Sequence, residues 1–336
     1  MSSYYTLPSL APFPGAEAYN GTRTLVLGAS GFIGRWVARS LCAAGAEVSL
    51  VVRSARDAAR TFAACRVRGK VIAADLCQPE AIGRLFAAVK PAITFNLAAY
   101  GVDPSERDEG LAYQVNAQLV QAVAKAAAES RAPHWPGQDV VHTGSALEYG
   151  NVGGDVSEDS RPNPTTWYGR SKLAGTCLLA DGCRRFGLKG LTARLFTVYG
   201  PGEHPGRLLP ALLEAALTGK PLPLTRGSQQ RDFAFVKDVA EGLLRLGLGH
   251  PPSGEVVNLA TGRLTSVRHF AEEAARVMGI RPDRLRFGSL PIRPEEMSHG
   301  EVSLARLRQL VGWVPPTSVE QGLARTWAFQ RTRQAA

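Results

Sequence analysis

Tyr168 and Lys172 stand four positions apart in Tyr168-Gly169-Arg170-Ser171-Lys172. On a helix that spacing puts both side chains on one face. An ammonium beside a phenol favours the phenolate, so Tyr168 is expected to fall below the ordinary tyrosine value of about 10. Such a phenol gives and takes protons near neutral pH. Ser145, in His142-Thr143-Gly144-Ser145-Ala146-Leu147-Glu148-Tyr149-Gly150, would add the hydroxyl that an alcohol- or ketone-handling site needs. The plain alternative for Tyr-x-x-x-Lys is a solvated helix face.

A second constellation lies nearer the start. Thr24-Leu25-Val26-Leu27 feeds glycines at 28, 31 and 34, and a helical pattern over residues 36–44 follows, closed by Gly45. Three glycines at this spacing, with a strand before and a helix after, predict a turn where a dinucleotide pyrophosphate meets bare backbone. Gly28 is expected to permit the tight turn and Gly31 to leave the phosphates unobstructed. Gly34 is expected to let the helix pack close on its strand. The next strand, residues 48–52, ends in Arg53-Ser54, where an acidic residue would bond the ribose of NAD. A cation and a hydroxyl there suit a 2′-phosphate, so NADP(H) is expected over NAD(H). Asp75, just past the following strand, fits either an acceptor for an adenine amino group or a helix cap.

The elements that must position these groups follow from hydrophobic patterning. Apolar runs at residues 25–27, 48–52, 70–73, 92–97, 140–143 and 190–196 alternate with helical patterns. That alternation predicts an α/β protein: a Rossmann-type, doubly wound parallel sheet with a smaller C-terminal α/β substrate lobe. Residues 1–22 are expected to form an N-terminal extension. Residues 23–195 form the dinucleotide-binding domain, to which some later segments return, and 196–330 mainly the substrate lobe. A long helix is predicted over residues 111–128. It contains Asn116, a modest helix former that is either solvated there or has a polar task.

The chain has 336 residues, 45% of them hydrophobic and 20% charged, with a formal charge of +10. The basic residues are mostly Arg and scattered, which suits anionic small substrates such as nucleotides; no nucleic-acid partner is expected. The five cysteines (Cys42, Cys65, Cys77, Cys177 and Cys183) are odd in number and lack metal-ligand spacing. A reducing, cytoplasmic setting and no metal are therefore expected. No apolar run approaches the ~18 residues of a membrane span, and no signal peptide is expected.

With these motifs assembled, the chain resembles the extended short-chain dehydrogenase/reductases, in their nucleotide-sugar epimerase, dehydratase and ketoreductase branch. The similarity runs from about residue 22 to residue 327. Its motifs come in family order, from Gly28-Ala29-Ser30-Gly31-Phe32-Ile33-Gly34 through Asp75-Leu76, Asn96-Leu97-Ala98-Ala99 and Asn116 to Thr143-Gly144-Ser145 and the Tyr168/Lys172 pair. Arg194-Leu195-Phe196-Thr197-Val198-Tyr199-Gly200 and Arg231-Asp232-Phe233 follow, then Asn258-Leu259-Ala260-Thr261-Gly262, Arg293-Pro294-Glu295-Glu296 and Gly312-Trp313.

The resemblance implies roles for these residues. Tyr168 would be the proton donor and acceptor, with Lys172 its electrostatic partner and ribose anchor. Ser145 would orient the sugar, and Asn116 would sit in a proton relay. The cofactor would meet Ser30, Phe32 and Ile33 beside the three glycines, and Arg53, Ser54, Asp75 and Leu76 at its adenosine end. Leu97, Ala98, Ala99 and Phe196 would line the rest of its cleft. Ala146, Thr197 and Leu208 would border the substrate, and Arg231 and Arg293 would grip its diphosphate. Arg231 has a structural alternative, an ion pair with Asp232 or Asp238. The family commonly has Asn where this chain has Thr197. The 4,6-dehydratase branch has an Asp-Glu pair where this chain has Ala146 and Leu147, so that activity is not expected.

The resemblance thus points to an NADPH-dependent 4-ketoreductase acting on a nucleotide-linked 4-keto-6-deoxyhexose. An NAD-dependent nucleotide-sugar 4-epimerase is the alternative. A non-catalytic NADP-sensing or nucleic-acid-binding relative is a remote one. It also implies a homodimer, joined by a four-helix bundle that pairs the 111–128 helix and the Tyr168 helix across a two-fold axis.

Overall fold

The computed structural model describes residues 12–78, 80–103, 105–132, 134–291 and 297–334. Seven strands form the main sheet, all parallel. They are β1 (Arg23–Leu27), β2 (Glu47–Val52), β3 (Lys70–Ala73), β4 (Ile93–Asn96), β5 (Val140–Ser145), β6 (Gly190–Leu195) and a late strand, Glu255–Leu259. From one edge the order is the late strand, β6, β5, β4, β1, β2, β3. The order reverses between β1 and β4, and in open α/β sheets the crevice at such a switch point is where ligands bind. The late strand was not among the predicted strands; its register against Leu191–Leu195 is fixed only by tertiary pairing.

Period-two alternation sorts the side chains onto two faces. Val26 joins a core with Trp36, Val37 and Leu41 of helix α1 (Gly34–Ala43), whereas Leu25 and Leu27 join one with Val120, Val123 and Leu179 on the other face. Helix α2 (Ala55–Cys65) lies with α1 on the first face, where Ala58, Phe62 and Cys65 join the Val26 core. On the second face lie α3 (Ala81–Val89), α4 (Glu109–Tyr113), α5 (Leu119–Glu129) and α6 (Trp167–Phe186), of which α3, α5 and α6 supply the core residues. The 20-residue α6 starts at Thr166, whose hydroxyl accepts from the Gly169 amide at 3.0 Å, and stops at left-handed Gly187.

The predicted 111–128 helix is present as an unbroken helical run from 109 to 129, but it is not α-helical throughout. A π turn, Gln114–Gln118, separates α4 from α5 and holds Asn116, which is fully buried. The smaller lobe has its own core, which includes Leu209 and Leu212 and in which Phe233 and Phe270 stack at 4.2 Å. Its sheets are short: Thr197–Tyr199, Gln230–Phe235 and Leu264–Ser266 in one, Leu222–Leu224 and Leu285–Phe287 in the other.

The described part of the N-terminal extension is built into the domain. Tyr19, in a 3₁₀ turn over Ala16–Tyr19, is fully buried and donates its hydroxyl to the Leu244 carbonyl at 2.7 Å. Its ring packs against Trp135 and Phe95. Residues 1–11 lie outside the described residues.

Candidate active site

The glycine turn sits at the switch point. Gly28 has φ +74°, and a Cβ there would lie 2.9 Å from the Ala98 nitrogen and the Leu97 carbonyl of the neighbouring strand end. Leu97 is held there by its N–H, which donates to the Leu27 carbonyl at 3.1 Å. A Cβ on Gly34 would overlap the Gly28 carbonyl, so α1 packs directly on the turn. Arg35 donates to the carbonyls of Gly31 (2.9 Å) and Ser30 (3.2 Å) and clamps the same turn. The N–H groups of a helix's first turn have no intrahelical partner and suit an anion. Bare backbone, a left-handed glycine and a helix start together fit a dinucleotide pyrophosphate.

At the adenosine end, Arg53 is exposed at the tip of β2, and the Ser54 hydroxyl caps α2 by accepting from the Asp57 amide at 3.3 Å. Asp75 is exposed and accepts from the Cys77 amide and the Gln78 side chain, both at 3.0 Å. These bonds, and the Arg53 charge to a smaller degree, hold its carboxyl below the usual range. Leu76 is half-buried beside it.

On α6, Lys172 is fully buried and Tyr168 half-buried. Gly101 approaches so closely that a Cβ on it would overlap the Trp167 ring and lie 3.1 Å from the ring of Tyr168. Burial, then the charge of Glu148, pushes the Tyr168 phenol up, with Arg207 opposing and Glu106 adding to the rise. This corrects the expected lowering: in the polypeptide by itself, burial dominates the Tyr168 phenol and raises it. Lys172 is pulled down to about 8 by burial, while Glu148 opposes that fall.

Asn116 has a polar task. Its side-chain nitrogen donates to the Tyr100 carbonyl (2.8 Å) and the Ser171 hydroxyl (2.9 Å), and its oxygen accepts from the Tyr100 amide (3.0 Å). The Asn116 carbonyl lies against Gly175, where a Cβ would overlap it. The π turn and α6 thus meet at glycine-close range. Ser145 ends β5, half-buried, and its hydroxyl accepts from the Leu147 amide at 3.2 Å.

Two buried groups here were not among the predicted site residues. Glu148 accepts from the Ser145 amide (2.8 Å), the Thr176 hydroxyl (2.9 Å) and the Arg194 guanidinium (2.8 Å). His142, fully buried on β5, pairs its Nδ1 with the Asn96 side chain at 3.3 Å. Its Nε2 has no hydrogen-bond partner among the described residues. Burial, then the nearby Lys172 charge, pushes His142 well down. For His142 the sequence signal is a histidine directly after the apolar pair Val140-Val141 of β5; Glu148 lies in the turn beyond the strand and has no such signal.

Ala146 is buried, and Phe196, Thr197 and Leu208 are half-buried. Phe196 meets His299 edge-on at 5.5 Å. Arg231 donates to the Met297 carbonyl at 2.6 Å and its neighbour Gln230 at 2.7 Å. The acids named for it are engaged elsewhere: Asp232 accepts from the Thr261 and Gly262 amides, and Asp238 from Thr317. Arg293 lies outside the described residues. Among the described residues no group of three His, Cys, Asp or Glu side chains could hold a metal ion, and no helix is long and apolar enough to cross a membrane.

A parallel sheet of this order, with a glycine turn at its switch point and a Tyr-x-x-x-Lys helix beside it, defines an extended short-chain dehydrogenase/reductase. Within that class the chain belongs to the NAD dependent epimerase/dehydratase family, whose description matches residues 24–260. It is 30% identical to a UDP-glucose 4-epimerase of Mycolicibacterium smegmatis, over 93% of this chain and 99% of the relative. It is 27% identical to a dTDP-6-deoxy-L-talose 4-dehydrogenase (NAD(P)(+)) of Kitasatospora kifunensis, over 94% and 97%. Among solved structures it is similar to MoeE5 in complex with UDP-glucose and NAD, with a TM-score of 0.80 and 28% identity over 93% of this chain and 99% of that one.

Proposed function

We propose that this protein is a nucleotide-sugar 4-epimerase that retains NAD. The observation that carries the reading is the end-to-end similarity to a UDP-glucose 4-epimerase. The glycine turn accommodates a dinucleotide, which when bound supplies reversible hydride exchange with the sugar C4. Tyr168 moves the proton at the C4 oxygen, and Ser145 holds that oxygen in place. Lys172 stabilises the phenolate and anchors the ribose, and Asn116 belongs to the relay behind them. NAD is read in place of the NADP expected from Arg53 because the similar solved structure MoeE5 is in complex with NAD. Ala146 and Leu147 supply neither acid nor base for water elimination, so the reading excludes a 4,6-dehydratase. The anionic partner is a nucleotide sugar rather than nucleic acid.

The test uses purified protein without added cofactor. Heat-released dinucleotide is identified by mass, and UDP-glucose is followed for conversion to its C4 epimer. Retained NAD with interconversion supports the reading. Protein that holds no dinucleotide, and consumes stoichiometric NADPH with a 4-keto-6-deoxy sugar nucleotide, overturns it in favour of a 4-ketoreductase. That second reading is favoured by the similarity to a 6-deoxysugar 4-dehydrogenase.

The homodimer is part of the same proposal. The outer faces of α5 and α6 carry Ala122 and Cys177 exposed and Leu173, Ala174 and Leu178 half-buried, with Tyr113 exposed at their end. Small and apolar residues on two adjacent helices suit a bundle with a second copy. A monomeric mass by light scattering at micromolar concentration overturns it.

A further inference from the structure

Glu148 closes a short 3₁₀ turn, Ala146–Glu148, directly after β5, and its side chain is fully buried. Its three hydrogen-bond partners lie on three different elements. Oε1 takes the Ser145 amide at the end of β5, and Oε2 takes Thr176 on α6 and Arg194 on β6. Thr176 is one helical turn beyond Lys172 and two beyond Tyr168, on the same face of α6. The surroundings are shaped for this carboxylate. A Cβ on Gly144 would stand 2.5 Å from Glu148 Oε1, so only glycine leaves room for it. Arg194 is held in turn by the Tyr149 ring, 4.3 Å from its guanidinium, and the Tyr149 hydroxyl donates to Asn258 at 2.8 Å.

We propose that Glu148 is the positioning residue of this site: one buried carboxylate sets Ser145 in register with the helix face that carries Tyr168 and Lys172. The inference rests on the proposed function for the chemistry that these three groups perform. A buried ion pair is not needed for stability, since apolar residues of similar volume commonly replace one without loss. What an apolar pair cannot do is accept from a backbone amide on one element and a hydroxyl on another. The carboxylate also acts at a distance. The charged or titratable groups around Lys172 are Glu148 on the 3₁₀ turn, His142 on β5 and Tyr168 on its own helix. Around Glu148 they are Arg194, Lys172 and Tyr168. Glu148 favours the ammonium of Lys172 against burial, and that ammonium is the charge that stabilises the Tyr168 phenolate in the proposed chemistry.

The experiment compares wild type with Glu148→Gln, Glu148→Asp and the charge-free double variant Glu148→Met/Arg194→Met. Circular dichroism and NAD(H) fluorescence establish folding and cofactor binding. Lysine labelled with ¹³C at Cε reports the Lys172 titration by NMR, with Lys172→Met to assign its signal. The Glu148→Gln and double variants are expected to titrate Lys172 at lower pH than wild type, and Glu148→Asp close to wild type. With the nucleotide sugar that the protein turns over, kcat should fall by about 10²-fold in all three variants while KM changes little, because misplacement by about 1 Å costs that much. The double variant carries the same readouts if Glu148→Gln fails to fold. A folded double variant with wild-type kcat, pH profile and Lys172 titration overturns the proposal. The Lys172 titration needs no substrate, so a failed epimerase reading leaves that arm intact.

Discussion

The Asn116 side-chain nitrogen lies 2.9 Å from the Ser171 hydroxyl, and this bond joins the π turn to the helix that carries Tyr168 and Lys172. The same amide group brackets Tyr100 by accepting from its N–H and donating to its carbonyl. One buried side chain therefore ties α6 to the segment that lies over the Tyr168 ring. Asn116→Ala removes the partner of the Tyr100 amide and carbonyl and one of the two bonds of the Ser171 hydroxyl, and is expected to cost roughly 2–4 kcal/mol. Urea unfolding measures that loss. Hydrogen exchange should show faster opening at Tyr100 and Gly101 than in wild type; unchanged exchange there would separate Asn116 from this segment.

Tyr168→Phe keeps the ring against Gly101 and Trp167 and removes only the hydroxyl. Turnover should fall by ~10²–10⁴-fold, the range for a lost general acid or base. Stability should change by about 1 kcal/mol or less, and dinucleotide affinity little. Near-wild-type turnover on the true substrate returns the Tyr168/Lys172 pair to an ordinary helix face.

Lys172 gives a pH dependence of stability with a definite sign. Its folded value, about 8, lies below the ordinary 10.5. A depressed value means that the folded state binds fewer protons than the unfolded state between those limits. The neutral amine thus contributes stability that is fully present above pH 10.5 and is lost as pH falls through 8. At pH 7 the buried ammonium costs on the order of 3 kcal/mol. Lys172→Met should therefore raise the melting temperature at pH 7, and its advantage should shrink toward pH 10.5. Paired thermal scans at several pH values decide this, and a constant difference across the range contradicts it.

Gly28→Ala puts a side chain at φ +74° and against the Leu97–Ala98 backbone. The left-handed conformation alone costs about 1–2 kcal/mol, and relief of the overlap must move β4's end away from the turn. Dinucleotide binding, followed by calorimetry, should be lost while the smaller lobe keeps its fold. Retained affinity would show that the turn is not where the pyrophosphate sits.

Much of this architecture follows from residues that act over a few positions. The glycines at 28, 31 and 34 report a turn that any side chain would obstruct, and the four-residue step from Tyr168 to Lys172 is a property of one helix. Alternation in β1 already assigns Val26 to one face and Leu25 and Leu27 to the other. Tertiary structure decided the rest. Tyr19 meets Leu244 across 225 positions, the late strand finds β6, and Arg231 reaches the Met297 carbonyl, 66 positions away. The Tyr168 phenol rises because packing removes water from it, which the neighbouring Lys172 in the sequence does not reveal. Glu148 reads locally as one polar residue in a turn; its partners Thr176 and Arg194 are 28 and 46 positions away. Backbone sterics and helical periodicity act over about a turn of chain, so sequence displays them. Desolvation and buried hydrogen bonds depend on which distant segments close over a group, and only the folded chain determines that.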